Sequence, residues 1–301
     1  MIQYKFYERT TCEMCGNSTE KNKVKGIRLN TTQGFRPKRK HGIAVSVQQC
    51  TYCGLIYSNP LPIPNELGDH YKMLPESYWR EEYFQVDKEY FGKEISTFKK
   101  LTDFKPGMKA LDVGAGIGKA MLSLQEAGFD AYGFEPAEPF YKRAIEKMGI
   151  DSNKLKLGMI ETVDYAPSSF DFISFGAVLE HLYHPADCLN KAMTWLKPGG
   201  LIHLEVPSAK YLMARVINWY YRLCGTNFTA HLSPMHSPFH LYEFQIESFS
   251  ELGKKLDFEV VSFETEVCQI LNFPTITHSF FKAIMKSTST GMQLIVWLRK
   301  L

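Results

Sequence analysis

A chain of 301 residues, 45% of them hydrophobic, with a net charge of +3, holds enough apolar material for one large core and a small module beside it. It contains no low-complexity tract and no repeat of roughly 20–50 residues, which excludes fibrous and solenoid classes. The opening "MIQYKFYERTTC" lacks the apolar core of a signal peptide, and the charge-free run from Val267 to Phe281 is too short and too polar to cross a bilayer, so a cytoplasmic protein is expected.

Residues 1–60 contain "CEMCG" and "CTYCG". The pairs Cys12–Cys15 and Cys50–Cys53 supply four thiolates, the full set for a closed tetrahedral ion, with zinc the first candidate. Gly16 and Gly54 allow the tight turn after each pair. So small a module has little core, and a structural metal would supply its folding energy. The competing reading of the cysteines is a redox pair. The remaining cysteines, Cys188, Cys224 and Cys268, are expected as small buried hydrophobes. From Lys21 to Asn65 there is no acidic residue and there are eight basic ones, all of them between positions 21 and 41. Two readings stay open for that basic loop: an anionic partner, or a solvated loop on a small module.

Residues 61–105 form a bridging segment that opens on the proline-rich "NPLPIPNELGDHY". In "DKEYFGKEISTFKKL", Tyr90, Phe91, Ile95, Phe98 and Leu101 recur near a 3.6 period and predict a helix. Tyr71, Tyr78 and Tyr83 are candidates for a lid over a bound ligand, or for packing between modules.

Residues 106–301 alternate strand and helix. "KALDVGA", "DAYGFEP", "KLKLGMI", "FDFISFG" and "GLIHLEVPS" read as strands. Between them come "KAMLSLQEAG", "EPFYKRAIEKMG" and "PADCLNKAMTWLKPGG", the last with Pro185 at its start and Gly199–Gly200 as its stop. A helix, "IESFSELGKKL", and a late strand, "FEVVSFETEV", follow. This alternation predicts a mostly parallel sheet with helices on both faces, and a ligand at the carboxyl ends of its central strands. The C-terminal "GMQLIVWLRKL" could close the fold, form a subunit contact or touch a membrane surface.

In "LDVGAGIGKA" a strand ends at Asp112, and Gly114, Gly116 and Gly118 open a helix. The third glycine of a dinucleotide fingerprint is replaced by Lys119, which disfavours a nicotinamide cofactor. Glu135 stands nineteen residues past Gly116, at the end of the next strand, where a carboxylate accepts from two ribose hydroxyls.

With "LDVGAGIGKA", "GFEP", "FDFISFGAVLEHLYHP" and "LKPGGLIHLEVP" together, residues 106 to about 206 resemble the class I S-adenosylmethionine-dependent methyltransferases. The first 60 residues, with "CGLIYSNPLP", resemble a zinc-ribbon-like cysteine module that precedes this domain in some members. The resemblance implies a seven-stranded Rossmann-like sheet and S-adenosylmethionine as methyl donor. It places Gly114 and Gly116 against the amino-acid part of the donor with Asp112 nearby, Glu135 at the ribose, Met159 and Ile160 at the adenine, and Phe175 and Gly176 beside the methyl group. Ubiquinone-type O-methyltransferases carry a Glu-x-x-Glu-His stretch implicated in divalent metal binding. Here its first position is Ala177, leaving Glu180 and His181 either as ligands or as braces of the pocket. No Asn/Asp-Pro-Pro-Tyr/Phe follows the fourth strand, which argues against the amino-group methylases that use it.

The stretch 207–243 falls where this fold inserts its acceptor site, and "YLMARVINWYYRLCG" within it suits an enclosed pocket. Its "HLSPMHSPFHLYEF" offers His231, His236 and His240. His240 is the first choice as general base for a hydroxyl acceptor, His236 the second, and His181 a further candidate; each can equally hold a loop carbonyl. The expected reaction is in-line methyl transfer to a small molecule, a hydroxyl of a sugar, glycan precursor or secondary metabolite. Two alternatives remain: an RNA methyltransferase gripping phosphates through the basic module, and a non-catalytic binding protein on a cofactor fold.

Overall fold

The computed structural model describes residues 2–32, 42–65, 79–267 and 275–301. Tyr71, Tyr78, Cys268 and the basic residues Arg36, Lys38, Arg39 and Lys40 lie outside them.

The amino-terminal region holds five short strands: β1 (Tyr4–Tyr7), β2 (Lys23–Leu29), β3 (Ala44–Gln49), β4 (Ile56–Ser58) and β5 (Leu61–Pro64). β1 and β5 pair antiparallel, while β2, β3 and β4 form a meander. The bridging segment contributes α1 (Gly92–Leu101), which begins only after Phe91, at φ +60°, and is shorter than its periodicity suggested. It buries Ile95 and Phe98 beneath the main sheet, where Phe98 packs on Phe129 and Phe172.

The main domain then runs β6 (Lys109–Val113), α2 (Lys119–Glu126), β7 (Asp130–Glu135), α3 (Glu138–Glu146), β8 (Leu155–Leu157), β9 (Phe170–Gly176), α4 (Pro185–Trp195), β10 (Leu196–Pro207), α5 (Leu212–Leu223), β11 (Tyr242–Glu243), α6 (Ile246–Leu256), β12 (Phe258–Glu266), α7 (His278–Thr288) and β13 (Gln293–Lys300). Seven of these strands form one sheet in the order β12-β13-β10-β9-β6-β7-β8. β8, β7, β6, β9 and β10 are parallel, and β13 enters antiparallel between β10 and β12. The α/β seven-stranded expectation therefore holds. The chain steps outward from β6 to β8, then returns to β9 on the other side of β6, and that reversal opens a crevice at the strand ends.

Two local expectations are corrected, and one left open is decided. α4 stops at Trp195, and Lys197 to Gly200 already belong to β10, whose Leu196 pairs with Phe170. The C-terminal segment is a buried interior strand, with Leu294 to Leu298 inaccessible, so its apolar character closes the fold. Cys188 is buried as expected, but Cys224, at the end of α5, is exposed.

The cysteine module is continuous with the main domain. β11 pairs antiparallel with β4, matching Tyr242 to Tyr57 and Glu243 to Ile56, so the meander becomes a four-stranded sheet in the order β11-β4-β3-β2. α6 also holds the cysteine turns: Ser248 Oγ donates to the Cys53 carbonyl at 2.9 Å and Lys255 Nζ to that of Cys15 at 2.6 Å. The cysteines share a core with Tyr242, Phe244 and Phe249. No helix among the described residues is long and apolar enough to cross a membrane.

Candidate functional site: two adjoining cavities and a four-thiol centre

Two cavities meet at the carboxyl ends of β6, β7 and β9. The first, of about 140 Å³, is lined by Gly114, Glu135, Met159, Ile160, Val178 and His181 among others. The second, of about 340 Å³, is lined by Glu180, His181, Tyr211, His240, Glu243 and Gln293 among others. Ala177 and His181 border both.

The first cavity rests on the glycine turn. Gly114 has φ +69°, and a Cβ there would stand 2.8 Å from a Val178 methyl, so only glycine leaves room for a ligand against the backbone. Gly116 has φ +57° and its amide donates to Glu135 Oε2 at 2.8 Å, while the Ala137 amide donates to Oε1 at 2.8 Å. Burial raises the Glu135 carboxyl above its usual range and these two amides pull it back. Each carboxylate oxygen keeps acceptor capacity for a ligand hydroxyl. Asp112, buried behind the turn, is raised to about 7 by burial and by the charge of Glu135.

Of the residues expected at the methyl donor, Gly114, Glu135, Met159 and Ile160 line this cavity together. Phe175 does not: its side chain is fully buried in the sheet core, because it occupies an inward position of β9. Gly176 is exposed at the end of that strand, and Ala177, at φ +54°, turns the chain into the cavity mouth.

An aromatic cover lies over the glycine turn. Phe140 stands about 4.0 Å from where a Cβ on Gly116 would be, Trp79 packs on Phe140 at 4.9 Å, and Arg143 lies over the Trp79 ring at 4.0 Å. Tyr83 packs against Trp79 and carries Lys119 over its ring. Among the three bridging tyrosines, Tyr83 thus lies in the described cover.

The second cavity places His240 beside His181, which borders the first. A short 3₁₀ turn, Leu179–His181, follows β9. The Leu241 amide donates to the Glu180 carbonyl at 2.8 Å, and the His240 amide to Ser233 Oγ at 3.1 Å, which pins the histidine loop to this turn. The rings of His181 and His240 meet edge to face, 5.0 Å apart. Both face Glu180 Oε1, at 3.8 and 3.9 Å. Burial, then the charge of His181, lowers His240 to about 4, so it is neutral at pH 7 with a lone pair to offer. Burial likewise lowers His181. Glu180 is 2% exposed, and burial, reinforced by Glu205, raises it to about 8. Ligand atoms of Glu180, His181 and His240 all fall within 4.8 Å of one another, so the set can also hold a divalent cation, although Ala177 brings no carboxylate to it.

The other two histidines are placed differently. His236 lines neither cavity; its Nδ1 lies 2.9 Å from the Ser237 carbonyl, on the far side of the loop. His231 is fully buried, with Nδ1 2.5 Å from Glu243 Oε2. Burial alone would raise Glu243, but the charge and hydrogen bond of His231 and the Leu232 amide hold it below its usual range. Sequence reasoning missed Glu243, which sits in "HLYEF" three residues past His240. It reaches the cavity because β11 is fixed to β4 of the cysteine module.

The four cysteines converge on one buried point. Sγ atoms of Cys12 and Cys53, and of Cys15 and Cys50, lie 3.6 Å apart, and all four lie within 4.8 Å. Disulfide sulfurs would stand at about 2.0 Å, whereas a tetrahedron with metal–sulfur bonds of about 2.3 Å has edges near 3.8 Å. The donor set therefore fits a zinc ion. The Gly16 and Gly54 amides fold back onto the Cys12 and Cys50 carbonyls at 2.8 and 3.1 Å, closing the two knuckles.

The family described as "Methyltransferase domain" matches residues 83–263, more than half of the chain. The chain is similar, at 31% identity over 116 residues, to a ubiquinone biosynthesis O-methyltransferase of Methylococcus capsulatus; the match covers 36% of this chain and 49% of that protein. It is similar at 24% identity to phosphoethanolamine N-methyltransferase 2 of Caenorhabditis elegans, covering 40% of this chain and 29% of that one. The chain thus spans about half, or less, of the length of these relatives. The YcgJ protein of Bacillus subtilis shares the fold, with a TM-score of 0.50 at 14% identity over 71% of this chain and 99% of its own. The matched span, with its glycine turn, acidic strand end and seven-stranded sheet, makes this chain a member of the methyltransferase domain family, of the class I S-adenosylmethionine-dependent type.

Proposed function

We propose that the protein transfers a methyl group from S-adenosylmethionine to a hydroxyl of a small molecule held in the second cavity. The observation that carries this reading is the junction itself: the cavity on the glycine turn, lined by Gly114 and Glu135, shares Ala177 and His181 with a second one that contains His240. Bound S-adenosylmethionine supplies an electrophilic methyl carbon on a sulfonium.

The chain's own residues do the rest. Gly114 and Gly116 admit the donor's amino-acid part, Glu135 accepts from its ribose, and Met159 and Ile160 border its adenine. The cover of Trp79, Tyr83 and Phe140 closes the glycine turn from solvent. His240 takes the acceptor's proton as the new bond forms, and Glu180 behind it offers an acceptor for the imidazolium. Alignment of acceptor and methyl is the larger contribution, because in-line displacement depends on geometry more than on acid–base strength. The relatives named above act on oxygen in one case and nitrogen in the other, and a base is required for a hydroxyl. The cysteine module, loaded with zinc, anchors β11 and through it Glu243 in the wall of the acceptor cavity.

The test is methyl transfer by wild type and His240→Ala, each with and without prior chelation by a membrane-impermeant chelator too weak to strip a thiolate site. The base reading expects turnover to fall strongly in the variant, unchanged affinity for S-adenosylhomocysteine, and no effect of chelation on wild type. Loss of wild-type turnover on chelation, restored by a divalent cation, would move the role of His240 to metal binding.

A further inference from the structure

The basic run at the start of the cysteine module is not absorbed by the two cavities. Part of it meets α5 in an open groove of about 670 Å³, lined by Lys23, Lys25, Arg215, Asn218, Trp219 and Arg222 among others. That volume lies within the range of small-ligand sites, about 300–1,000 Å³.

The helix side is built by spacing. Arg215, Trp219 and Arg222 stand at i, i+4 and i+7, so they share one stripe of α5. The strand side is built by a bulge. The β2–β3 register shifts between Val24 and Gly26, which makes Lys25 the extra residue and re-aims it beside Lys23. Lys25 donates to Gln49 Oε1 at 3.2 Å, and no carboxylate among the described residues forms an ion pair with Lys23, Lys25, Arg215 or Arg222. Four cations line the groove without a counter-charge of their own. Burial first, then Lys23, Arg222 and Arg215, lowers Lys25; Glu243 pulls the other way, but its carboxylate is committed to His231 and the Leu232 amide. Such crowding is relieved by a bound anion. Trp219 is 63% exposed, a large ring on the same stripe of α5 as Arg215 and Arg222, and it offers a flat face to a planar group.

The groove adjoins the acceptor cavity across one helix. Tyr211, just before α5, and Ala214 and Ile217 within it line the cavity, while Arg215 and Arg222 lie on the neighbouring stripe. Asn218, in the groove wall, accepts from the amide of Ala230, which lines the cavity.

We propose that this groove binds the nucleoside diphosphate portion of the methyl acceptor, with the cations on its phosphates and Trp219 stacked on its base. This deepens the assignment of the second cavity as the acceptor's and rests on it. The acceptor is then a nucleotide-linked small molecule whose remaining part passes around α5 to the His240 cavity, and an activating nucleotidyl transfer must precede methylation.

The test titrates uridine diphosphate and inorganic pyrophosphate into the zinc-loaded full chain by calorimetry, with S-adenosylhomocysteine titrated separately. Uridine diphosphate is expected to bind, and Arg215→Gln with Arg222→Gln is expected to weaken it by about tenfold or more, since each charge-assisted bond is worth about that factor. Trp219→Ala should weaken uridine diphosphate more than pyrophosphate. Affinity for S-adenosylhomocysteine should not change in any of these variants. Absence of binding by both phosphate probes, or unchanged binding in the double arginine variant, overturns the proposal. So does a single-stranded RNA oligomer bound more tightly than uridine diphosphate through the same arginines. If S-adenosylhomocysteine fails to bind wild type, the methyl-transfer reading fails instead, and the phosphate titration still reports on the groove.

Discussion

Replacing Glu135 by glutamine probes the donor site with the smallest change in shape. In the structure both carboxylate oxygens accept backbone amides at 2.8 Å, from Gly116 and Ala137. Glutamine has one oxygen, so its NH₂ must face one of those N–H groups, donor against donor. Leaving one buried donor unsatisfied costs about 1–3 kcal/mol of folding stability. The ligand loses more specifically. Two ribose hydroxyls donating to a charged acceptor gain about 1.5–3 kcal/mol each, against about 0.5–1.5 for a neutral one, so the pair loses about 2 kcal/mol. That corresponds to a roughly thirty-fold weaker affinity for S-adenosylhomocysteine. Calorimetry on Glu135→Gln, beside a thermal melt showing that the fold persists, measures both numbers. An affinity within a factor of about three of wild type, in a folded variant, would refute the assignment of Glu135 to the ribose.

Five further outcomes are expected. His240→Ala should lower turnover by about 10²–10⁴-fold, the range for loss of a general base, with affinity for S-adenosylhomocysteine unchanged. Because His240 is lowered to about 4, wild-type turnover should be insensitive to this group between pH 6 and 8 and should fall only as pH approaches about 4, as a pH–rate profile would show. Glu180 is raised to about 8, so its folded form holds a proton that the unfolded chain releases near 4.5; its contribution is present at low pH and lost as pH rises through 8. Glu180→Gln should therefore melt higher than wild type at pH 9, by a margin that shrinks as pH falls from 8 and vanishes only near pH 4.5. Cys53→Ser should abolish the bound metal, expected at about one zinc per chain, and lower the melting temperature, as metal analysis and calorimetry would report. Trp79→Ala should weaken S-adenosylhomocysteine binding by removing the ring that backs Phe140 and Arg143, and an unchanged affinity would reduce that cover to packing.

The sheet was legible because its signals are local. Asp112, the three glycines and Glu135 sit at the joints of one strand-turn-helix-strand unit, and their spacing alone brings Gly116 and Glu135 into hydrogen-bond contact. The two cysteine pairs were legible for the same reason, since each turn is closed within five residues. What escaped is what depends on distant pairing. β11 is only two residues long and has no periodicity of its own; it is a strand because β4, nearly two hundred residues earlier, offers an edge. Glu243 enters the second cavity through that pairing, and nothing in "HLYEF" announces it. Among three histidines in ten residues the sequence ranks His240 ahead of His236, and the loop hydrogen bonds send His240 to Glu180, His231 into the core and His236 away from both cavities. Phe175 ends in the core because β9 runs between β6 and β10 with both faces covered, which the motif does not specify. The C-terminal strand gave an apolar signal compatible with three surroundings, and only its insertion between β10 and β12 chooses among them.

The most direct measurement uses S-adenosylmethionine labelled in its methyl group, incubated with the protein and an extract of its source cells, then fractionated before and after nuclease treatment. The account expects label in a small, nuclease-resistant fraction, strongly reduced with His240→Ala. Label confined to nuclease-sensitive material, or equal labelling by wild type and His240→Ala, would contradict it.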